Sequence, residues 1–519
     1  VWVKTFGCSH NQSDSEYMSG QLEAYGYRIV QDSQSADLWL VNTCTVKNPS
    51  ETAMVNIVNK GKQLEKPMVV AGCVPQGDKN IKALGGASLL GVAQIDRVVE
   101  AVEETLQGNR VQLLTKKDLP RLDLPKVRRN RHIEIIPLST GCLGNCTYCK
   151  TKHARGELGS YDPDAIVARA KTAAADPEVR EIWLSSEDTG AYGRDLGIKL
   201  PHLLRRIVEV LPKSGRARLR IGMSNPPFML DTLDEIAQVL NHPLVFSYLH
   251  IPVQSGSNAV LEGMNREYTA EEFRKCADTL LALVPGLELA TDIICGFPGE
   301  TEKDHGETLR LVADYKFPHC HISQFYPRPG TPAARMKRVP TQIVKARTRE
   351  VSKLVDSFTG AYAPLEGSLQ LVSIVEKAAD KVHLVGHTNT YAQILIKGEE
   401  TLIGCMAWVK VRRATRWSAF GDLLDTPLQL DIVANKTETL LQWEKGEKGK
   451  EEGKERKKED AFGVVKGPPG GWAGVAARGL LSKADAVDYA IALGLGVGLA
   501  GILTSAYFNI TSHHKSQTQ

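Results

Sequence analysis

The stretch Ile133-Glu-Ile-Ile-Pro-Leu138, followed by Cys142-Leu-Gly-Asn-Cys146-Thr-Tyr-Cys149, governs the interpretation of the whole chain. The apolar run predicts a buried strand, and the cysteines follow its end. Three cysteines spaced CxxxCxxC supply three thiolates to an iron–sulfur cluster and leave one iron without a protein ligand. A zinc site with His153 as the fourth ligand is the alternative, although no fourth cysteine lies nearby.

Apolar runs alternate with helical patterns from this strand onward. The runs are Ile133–Leu138, Glu181–Leu184, Leu219–Met223, Val245–Ile251, Leu289–Ile294 and Cys320–Phe325. Six βα units in succession predict an α/β fold with an open or partial (β/α)6 barrel over residues 133–360. Functional residues should then lie at the C-terminal ends of the strands.

Residues 1–114 predict a smaller parallel α/β domain. Its apolar runs are Val1–Phe6, Leu38–Val41, Met68–Ala71 and Ser88–Val92, with helical stretches at Ser15–Tyr25 and Ile95–Leu106. Because the sequence opens inside a strand, we expect a further segment before Val1. Residues 115–132, rich in Pro, Lys and Arg, predict a basic linker.

The remainder of the chain divides into three parts. Short alternating strands across Leu369–Val411 predict a small β module within residues 361–425. Residues 426–485 include a dense run of mixed charge and predict a polar linker. Tyr489–Phe508 contains no charged residue and predicts a transmembrane helix within residues 486–508, with a buried core helix as the alternative.

Composition sets only broad limits on function. A net charge of +4 neither requires nor excludes a nucleic-acid partner. Ten cysteines in 519 residues are too few for a disulfide-stabilised scaffold, so a reducing compartment is favoured.

A second group of cysteines comprises Cys8, Cys44 and Cys73, each at or just after the end of a predicted strand. The carboxyl ends of parallel strands meet at one edge of a sheet, so the three side chains can converge. Buried structural cysteines are the alternative, since cysteine packs well as a small apolar group.

Several strings together resemble the methylthiotransferase family of the radical S-adenosylmethionine (SAM) superfamily, over about residues 1–425. They are Phe6-Gly7-Cys8, Asn42-Thr43-Cys44, Ala71-Gly72-Cys73, the CxxxCxxC loop, His250–Ser257, Met264–Arg266, Asp292–Thr301 and Tyr326–Pro332. The resemblance implies a flavodoxin-like N-terminal domain, a radical SAM barrel and a C-terminal TRAM-like RNA-binding β-barrel. It also implies two [4Fe-4S] clusters. One, on Cys142, Cys146 and Cys149, would chelate SAM and cleave it to a 5′-deoxyadenosyl radical, and Cys8, Cys44 and Cys73 would bind an auxiliary cluster.

Further site residues follow from the same resemblance or from their positions at strand ends. SAM contacts are expected from Tyr148, Glu187, Asp188, Ser224, Gln254 and Asp292, although polar residues at strand ends also cap helices. RNA contacts are expected from Arg128, Arg129, Arg131, Arg155, Arg412 and Arg413.

Within the family, Lys152–Gly156 and Ser185–Gly193 resemble the archaeal and eukaryotic branch. That resemblance implies methylthiolation of carbon 2 of N6-threonylcarbamoyladenosine at position 37 of a tRNA, a lysine-accepting one by family resemblance. Methylthiolation of isopentenyladenosine or of a ribosomal protein, or a non-catalytic membrane-tethered RNA scaffold, are the alternatives. The reaction also requires an electron donor and a sulfur source, which the sequence does not identify. The C-terminal apolar run predicts a tail anchor in the endoplasmic reticulum membrane, with the catalytic domains facing the cytosol.

Overall fold

The computed structural model describes residues 1–45, 48–78, 81–115, 119–358 and 360–424, without the side chains of residues 48–51. The predicted polar linker at 426–485 and the predicted transmembrane helix at 486–508 lie outside these residues. Within the described part of the chain, no helix combines the length and the apolar character needed to cross a bilayer.

The N-terminal domain is a parallel sheet with helices packed against it. Its strands are β1 (Trp2–Thr5), β2 (Trp39–Thr43), β3 (Met68–Gly72), β4 (Ser88–Leu90) and β5 (Gln112–Leu113), and its helices are α1 (Ser9–Tyr25), α2 (Asn48–Gln63), α3 (Cys73–Gly77) and α4 (Val98–Leu106). The strands lie in the order β1-β2-β3-β4-β5, and a parallel bridge from Trp2 to Val30 adds a short extended segment outside β1. With that segment counted, the sheet has the flavodoxin-like arrangement.

The central domain contains six parallel strands in two connected sheets. The six are β6 (Ile133–Pro137), β9 (Glu181–Ser185), β10 (Arg218–Arg220), β11 (Tyr248–His250), β12 (Glu288–Cys295) and β13 (His319–Gln324). A separate antiparallel pair is formed by β7 (Ser139–Thr140) and β8 (Gly159–Ser160). Its helices are α5 (Thr151–Arg155), α6 (Pro163–Ala175), α7 (Leu200–Val210), α8 (Leu233–Leu240), α9 (Asn258–Gly263), α10 (Ala270–Leu283), α11 (Glu302–Tyr315) and α12 (Thr341–Asp356).

The sheets β6-β9-β10 and β11-β12-β13 are joined by a parallel bridge between Leu219 and Val245. Among the described residues, β6 and β13 do not pair, so the six strands form an open half-barrel. Side chains such as Ile182, Leu184 and Leu219 point outward and pack with the helices in the main core. The alternate positions of the same strands face inward, because neighbouring side chains of a strand point to opposite faces.

The C-terminal module is a closed barrel, with strands in the order β14-β15-β16-β18-β17. They are β14 (Leu369–Lys377), β15 (His383–His387), β16 (Gln393–Lys397), β17 (Met406–Ala414) and β18 (Ala419–Leu423). The module packs on the central domain through Val375, which contacts Ile133 and Ile135 in a shared apolar cluster. The α/β class and the small C-terminal barrel predicted from the sequence are therefore confirmed.

Candidate functional site

The three N-terminal cysteines converge at the carboxyl edge of the first sheet, and we call them the N-terminal trio. Cys8 follows β1, Cys44 follows β2, and Cys73 follows β3. Gly7 has a φ of +104°, and a Cβ placed there would lie 2.7 Å from the Cys44 sulfur, so only glycine allows this approach. Cys8 is exposed, whereas Cys44 and Cys73 are buried.

Asn11 connects the loops that carry this trio. Its buried side-chain amide donates to the carbonyl of Phe6, at 2.8 Å, and to that of Thr43, at 2.7 Å. Its oxygen accepts from the Cys73 thiol at 3.7 Å. The sequence analysis missed Asn11; the signal was a polar residue three positions after Cys8 at the start of a helix.

Arg155 is the cation of the N-terminal trio. Its Nε donates to the Cys73 sulfur at 3.3 Å, and its Nη2 lies 2.6 Å from an Asp14 carboxylate oxygen. Glu187 lies 3.0 Å from Nε of the same guanidinium and 3.1 Å from Nδ1 of His10. Because the Arg155 side chain is only 3% exposed, it belongs to the cysteine site and not to the RNA-contacting surface where the sequence analysis placed it.

The second set, which we call the loop trio, is Cys142, Cys146 and Cys149. Gly141 begins the loop at a φ of +75°, and a Cβ there would meet the Glu157 carbonyl oxygen at 2.0 Å. The loop is held to the segment before α10, since the Thr147 amide donates to the Met264 carbonyl at 2.9 Å. Arg266 Nη1 donates to the Cys146 sulfur at 3.1 Å and provides this trio with its own cation.

Helix α5 connects the two trios. At its start, the Thr151 amide donates to the Cys149 sulfur at 3.4 Å, and at its end Arg155 binds Cys73. Ala154 packs with Cys73 in an apolar cluster. Thr151 and Arg155 are separated by roughly 6 Å of helix axis, so the two cysteine sites are close neighbours.

Burial raises the pKa of one thiol in each trio. It raises the pKa of Cys73 to about 11, against the opposing charge of Arg155. Burial, then Asp188 and the neighbouring cysteines, raise the pKa of Cys142 to about 12. Binding of a metal centre would displace these protons, because metals coordinate the thiolate form.

No group of three or more His, Cys, Asp or Glu side chains converges around a single metal-ion position in the described ranges. A mononuclear zinc site gathers its ligands around one ion. An iron–sulfur cluster instead distributes its thiolates over separate irons. The donor set and the adjacent arginines of both trios fit such clusters.

Comparisons with known proteins agree with this geometry. Residues 136–312 match the radical SAM superfamily, residues 1–88 match uncharacterized protein family UPF0004, and residues 365–424 match the TRAM domain. The chain is 52% identical over 433 residues to a threonylcarbamoyladenosine tRNA methylthiotransferase of Drosophila melanogaster, covering 82% of this chain and 78% of that protein.

The corresponding human protein is also 52% identical, over 418 residues, with 79% of this chain and 72% of that protein covered. A probable threonylcarbamoyladenosine tRNA methylthiotransferase of Pyrococcus abyssi is 37% identical over 357 residues, covering 68% and 83%. This chain belongs to the threonylcarbamoyladenosine tRNA methylthiotransferase family. The predicted family and branch are thereby confirmed, and the radical SAM domain implies a [4Fe-4S] cluster and SAM.

The residues predicted to bind SAM in this methylthiotransferase occupy different environments. Asp188 accepts from the Asn225 amide groups and from Gly190 N, and burial raises its pKa to about 6. Ser224 is buried, with its hydroxyl 3.4 Å from the Gly222 carbonyl. Glu187 points instead toward Arg155 and His10, on the side of the N-terminal trio.

The other predicted SAM contacts lie along the later strands. Gln254 has a φ of +66° and bridges to Ile293 through its backbone. Asp292 is 3.2 Å from His250 Nε2, and its side chain is 32% exposed. Tyr148 lies against the ring of Phe297, at a centroid distance of 6.4 Å. Ser224 and Gln254 thus lie just beyond the C-terminal ends of β10 and β11, whereas Asp292 lies within the second half of β12.

The arginines predicted to contact RNA divide by exposure. Arg128 is engaged internally, with Glu134 at 2.5 Å and Asp176 at 2.7 Å, and its side chain is 17% exposed. Arg128 thus joins the basic segment at residues 115–132 to the central domain. The exposed ones are Arg129, Arg131, Arg412 and Arg413.

Proposed function

We propose that this protein transfers a methylthio group to carbon 2 of N6-threonylcarbamoyladenosine at position 37 of tRNA. The observation that carries the proposal is the joining of the two cysteine trios by α5. The family relationship supports the substrate, since the relatives are named for threonylcarbamoyladenosine tRNA. The TRAM domain supports the RNA partner, and a lysine-accepting tRNA is the one we propose.

The C–H bond at carbon 2 of adenine is unactivated, so acid–base chemistry by side chains cannot replace it with sulfur. When bound, the cluster and SAM supply the radical chemistry that this substitution needs. The protein's own contribution is to place the two centres side by side. Arg266 and Arg155 each donate to a cysteine sulfur and stabilise the thiolate form in a largely buried environment.

We propose a [4Fe-4S] cluster at each trio, and iron analysis tests this directly. After anaerobic reconstitution, Cys142→Ala and Cys44→Ala should each lose about half of the iron and sulfide of the wild-type protein. Cys405→Ala is the matched control, because this cysteine is exposed in the C-terminal barrel and belongs to neither trio. Full iron content in the Cys44→Ala variant would contradict a cluster at the N-terminal trio.

Product analysis tests the substrate. Nucleosides from cells lacking the protein should contain threonylcarbamoyladenosine without its 2-methylthio derivative. A loss confined to 2-methylthio-isopentenyladenosine, or to a modified ribosomal protein, would refute the substrate proposed here. Release of 5′-deoxyadenosine from SAM by the reconstituted protein separates an enzyme from a non-catalytic RNA scaffold, which would release none.

RNA binding is proposed for the exposed basic residues of two regions. Arg129 and Arg131 precede β6, and Arg412 and Arg413 lie on β17 of the TRAM domain. Arg412 pairs with the exposed Asp422, and the Arg413 guanidinium lies 4.8 Å from the centroid of the Phe420 ring. Such surface arginines remain accessible to phosphates, which position an RNA without reading its sequence. Charge reversal at Arg412 should weaken tRNA binding and reduce its dependence on salt.

We also propose that residues 486–508 anchor the protein in the endoplasmic reticulum membrane, with the catalytic domains on the cytosolic side. The support is the uncharged run Tyr489–Phe508. Membrane fractionation of the full chain, compared with a chain ending at residue 480, tests the proposal. Equal recovery of both forms in the soluble fraction would contradict it.

A further inference from the structure

The interior of the half-barrel is only partly filled by side chains. Among the inward-facing residues, Trp183 and Arg220 are half-buried and His321 is exposed. The side chains of His250 and Asp292 are 18% and 32% exposed. A closed eight-stranded barrel fills its centre with packed layers. The inward positions here therefore line an accessible lumen that continues to the strand ends.

The TRAM domain closes the lower end of this lumen. The turn between β15 and β16 enters the half-barrel there, and the Asn389 carbonyl accepts from the amide of Ser247 at 2.9 Å. Tyr391, in this turn, stacks on His387 at a centroid distance of 4.3 Å and contacts Phe246 at 5.0 Å. Its φ of +69° is unusual for a residue other than glycine, so the surrounding packing holds it in place.

Arg220 lies on this floor with aromatic rings on three sides. Its guanidinium carbon is 5.0 Å from the centroid of Trp183, 5.1 Å from Tyr248 and 4.8 Å from Tyr391. Its Nε is buried and has no hydrogen-bond partner. A buried donor without an acceptor is uncommon and costs free energy unless something binds it.

The carboxylates of the same layer are already engaged. Glu181 accepts from His387 Nδ1 and from Trp183 Nε1, each at 2.7 Å. Glu288 accepts from Tyr362 at 3.0 Å and from Thr390 at 3.2 Å. No carboxylate among the described residues lies within ion-pair distance of Arg220. Its positive charge is thus available to an acidic group that enters the lumen.

The floor is within reach of a substituent on the reacting base. Arg220 precedes Ser224 by four residues, which corresponds to about 13 Å of extended chain. His250 lies one pleat above Tyr248, on the same face of β11, and contacts Asp292. A base held at the strand ends could therefore extend an N6 substituent down the lumen toward Arg220.

We propose that the Arg220 guanidinium binds the carboxylate of the threonylcarbamoyl substituent and so selects this substrate. The inference rests on the proposed function. A guanidinium matches a carboxylate through two parallel hydrogen bonds, and the aromatic rings fix its plane. An isopentenyl substituent carries no acceptor and would leave the buried Nε of Arg220 without a partner, so it is rejected.

Binding to two synthetic RNAs tests the inference. One is an anticodon stem-loop with threonylcarbamoyladenosine at position 37, and the other carries the same residue with its carboxylate converted to a primary amide. Wild-type protein should bind the acid about 10- to 100-fold more tightly than the amide. Arg220→Gln should bind both equally. Arg274→Gln is the matched control, because the Arg274 guanidinium also makes a cation–π contact, 5.4 Å from the centroid of the Tyr315 ring. Unlike Arg220, Arg274 lies outside the lumen and pairs with Asp314.

Arg220→Gln protein that keeps the wild-type preference for the acid would overturn the inference. A variant that unfolds at lower temperature while keeping that preference would overturn it too, since Arg220 would then serve only to hold the TRAM turn. Loss of preference in an Arg220→Gln protein that unfolds at the wild-type temperature would support it. Failure of the proposed function is a separate result, because the wild-type protein would then methylthiolate neither RNA.

Discussion

Replacing Arg155 by methionine should destabilise the N-terminal domain and its junction with the radical SAM domain. The guanidinium is 3% exposed and contacts two carboxylates, those of Asp14 and Glu187. Removing one partner from a buried ion pair costs about 3–5 kcal/mol, because the other charge stays buried without compensation. His10 remains 3.1 Å from Glu187 and 3.9 Å from Asp14, so each carboxylate keeps a weaker partner. We therefore expect the lower end, about 3 kcal/mol.

Urea denaturation of the iron-free protein, under reducing and anaerobic conditions, measures this loss. With a slope of about 3 kcal/mol per molar urea, the midpoint should fall by about 1 M. The control is Arg97→Gln, which breaks a surface pair with Glu100 whose side chains are 41% and 45% exposed. Such a pair contributes less than about 1 kcal/mol.

Iron content gives a second measurement. If Arg155 served only to stabilise the fold, its replacement would not remove iron from one trio alone. Because Arg155 donates to Cys73, the methionine variant should lose iron from the N-terminal trio and retain it at the loop trio. Arg155→Lys should restore only part of the stability, since an ammonium cannot reproduce the planar contacts of a guanidinium. A midpoint shift no larger than that of Arg97→Gln would refute the reasoning.

Two further predictions concern the central domain. Burial alone would raise the pKa of Glu134, but Lys126, Arg169 and Arg128 outweigh it and lower the pKa to about 2. A carboxyl whose pKa is lowered by folding stabilises the fold above about pH 4.5, and this contribution is lost as the pH falls toward 2. The free energy of unfolding of the wild-type protein should therefore fall by about 3 kcal/mol over this range. The Glu134→Gln variant should lack this decrease. Gly141→Ala should prevent the cysteine loop from closing and remove its iron, because the new Cβ would meet the Glu157 carbonyl at 2.0 Å. Gly144→Ala should retain the iron, since the nearest atom is a cysteine sulfur at 4.0 Å; equal iron in both variants would contradict this account.

The features predicted well from the sequence depend on local patterns. All six apolar runs of the central domain contain or overlap a strand of the half-barrel. Both cysteine groups follow strand ends, and strand ends are visible wherever an apolar run stops. The predicted start of the first helix, at Ser15, was wrong: the helix begins at Ser9. Its first residues are polar but buried, among them His10, Asn11 and Asp14, because the cysteine site covers them.

The charged residues were the hardest to place, because their partners are distant in sequence. Arg155 pairs with Asp14, and Lys126 pairs with Glu16 and Glu134. From the sequence alone, a lysine or arginine in a basic segment is predicted to contact phosphate. The structure shows whether a carboxylate that is distant in sequence pairs with it instead. No periodicity in the sequence distinguishes these internal pairs from exposed residues such as Arg131.

The short length of α5 determines how the two trios are placed relative to each other. A helix advances about 1.5 Å and turns about 100° per residue, so contacts at Thr151 and Arg155 lie one turn apart on nearly the same face. One more residue in this helix would rotate Arg155 away from Cys73 and separate the two trios. The loop trio follows the first strand of the half-barrel, whereas Cys73 begins α3 in another domain. The family strings that run from Cys142 to Gly156 therefore specify the separation of the two trios as well as three of their cysteines.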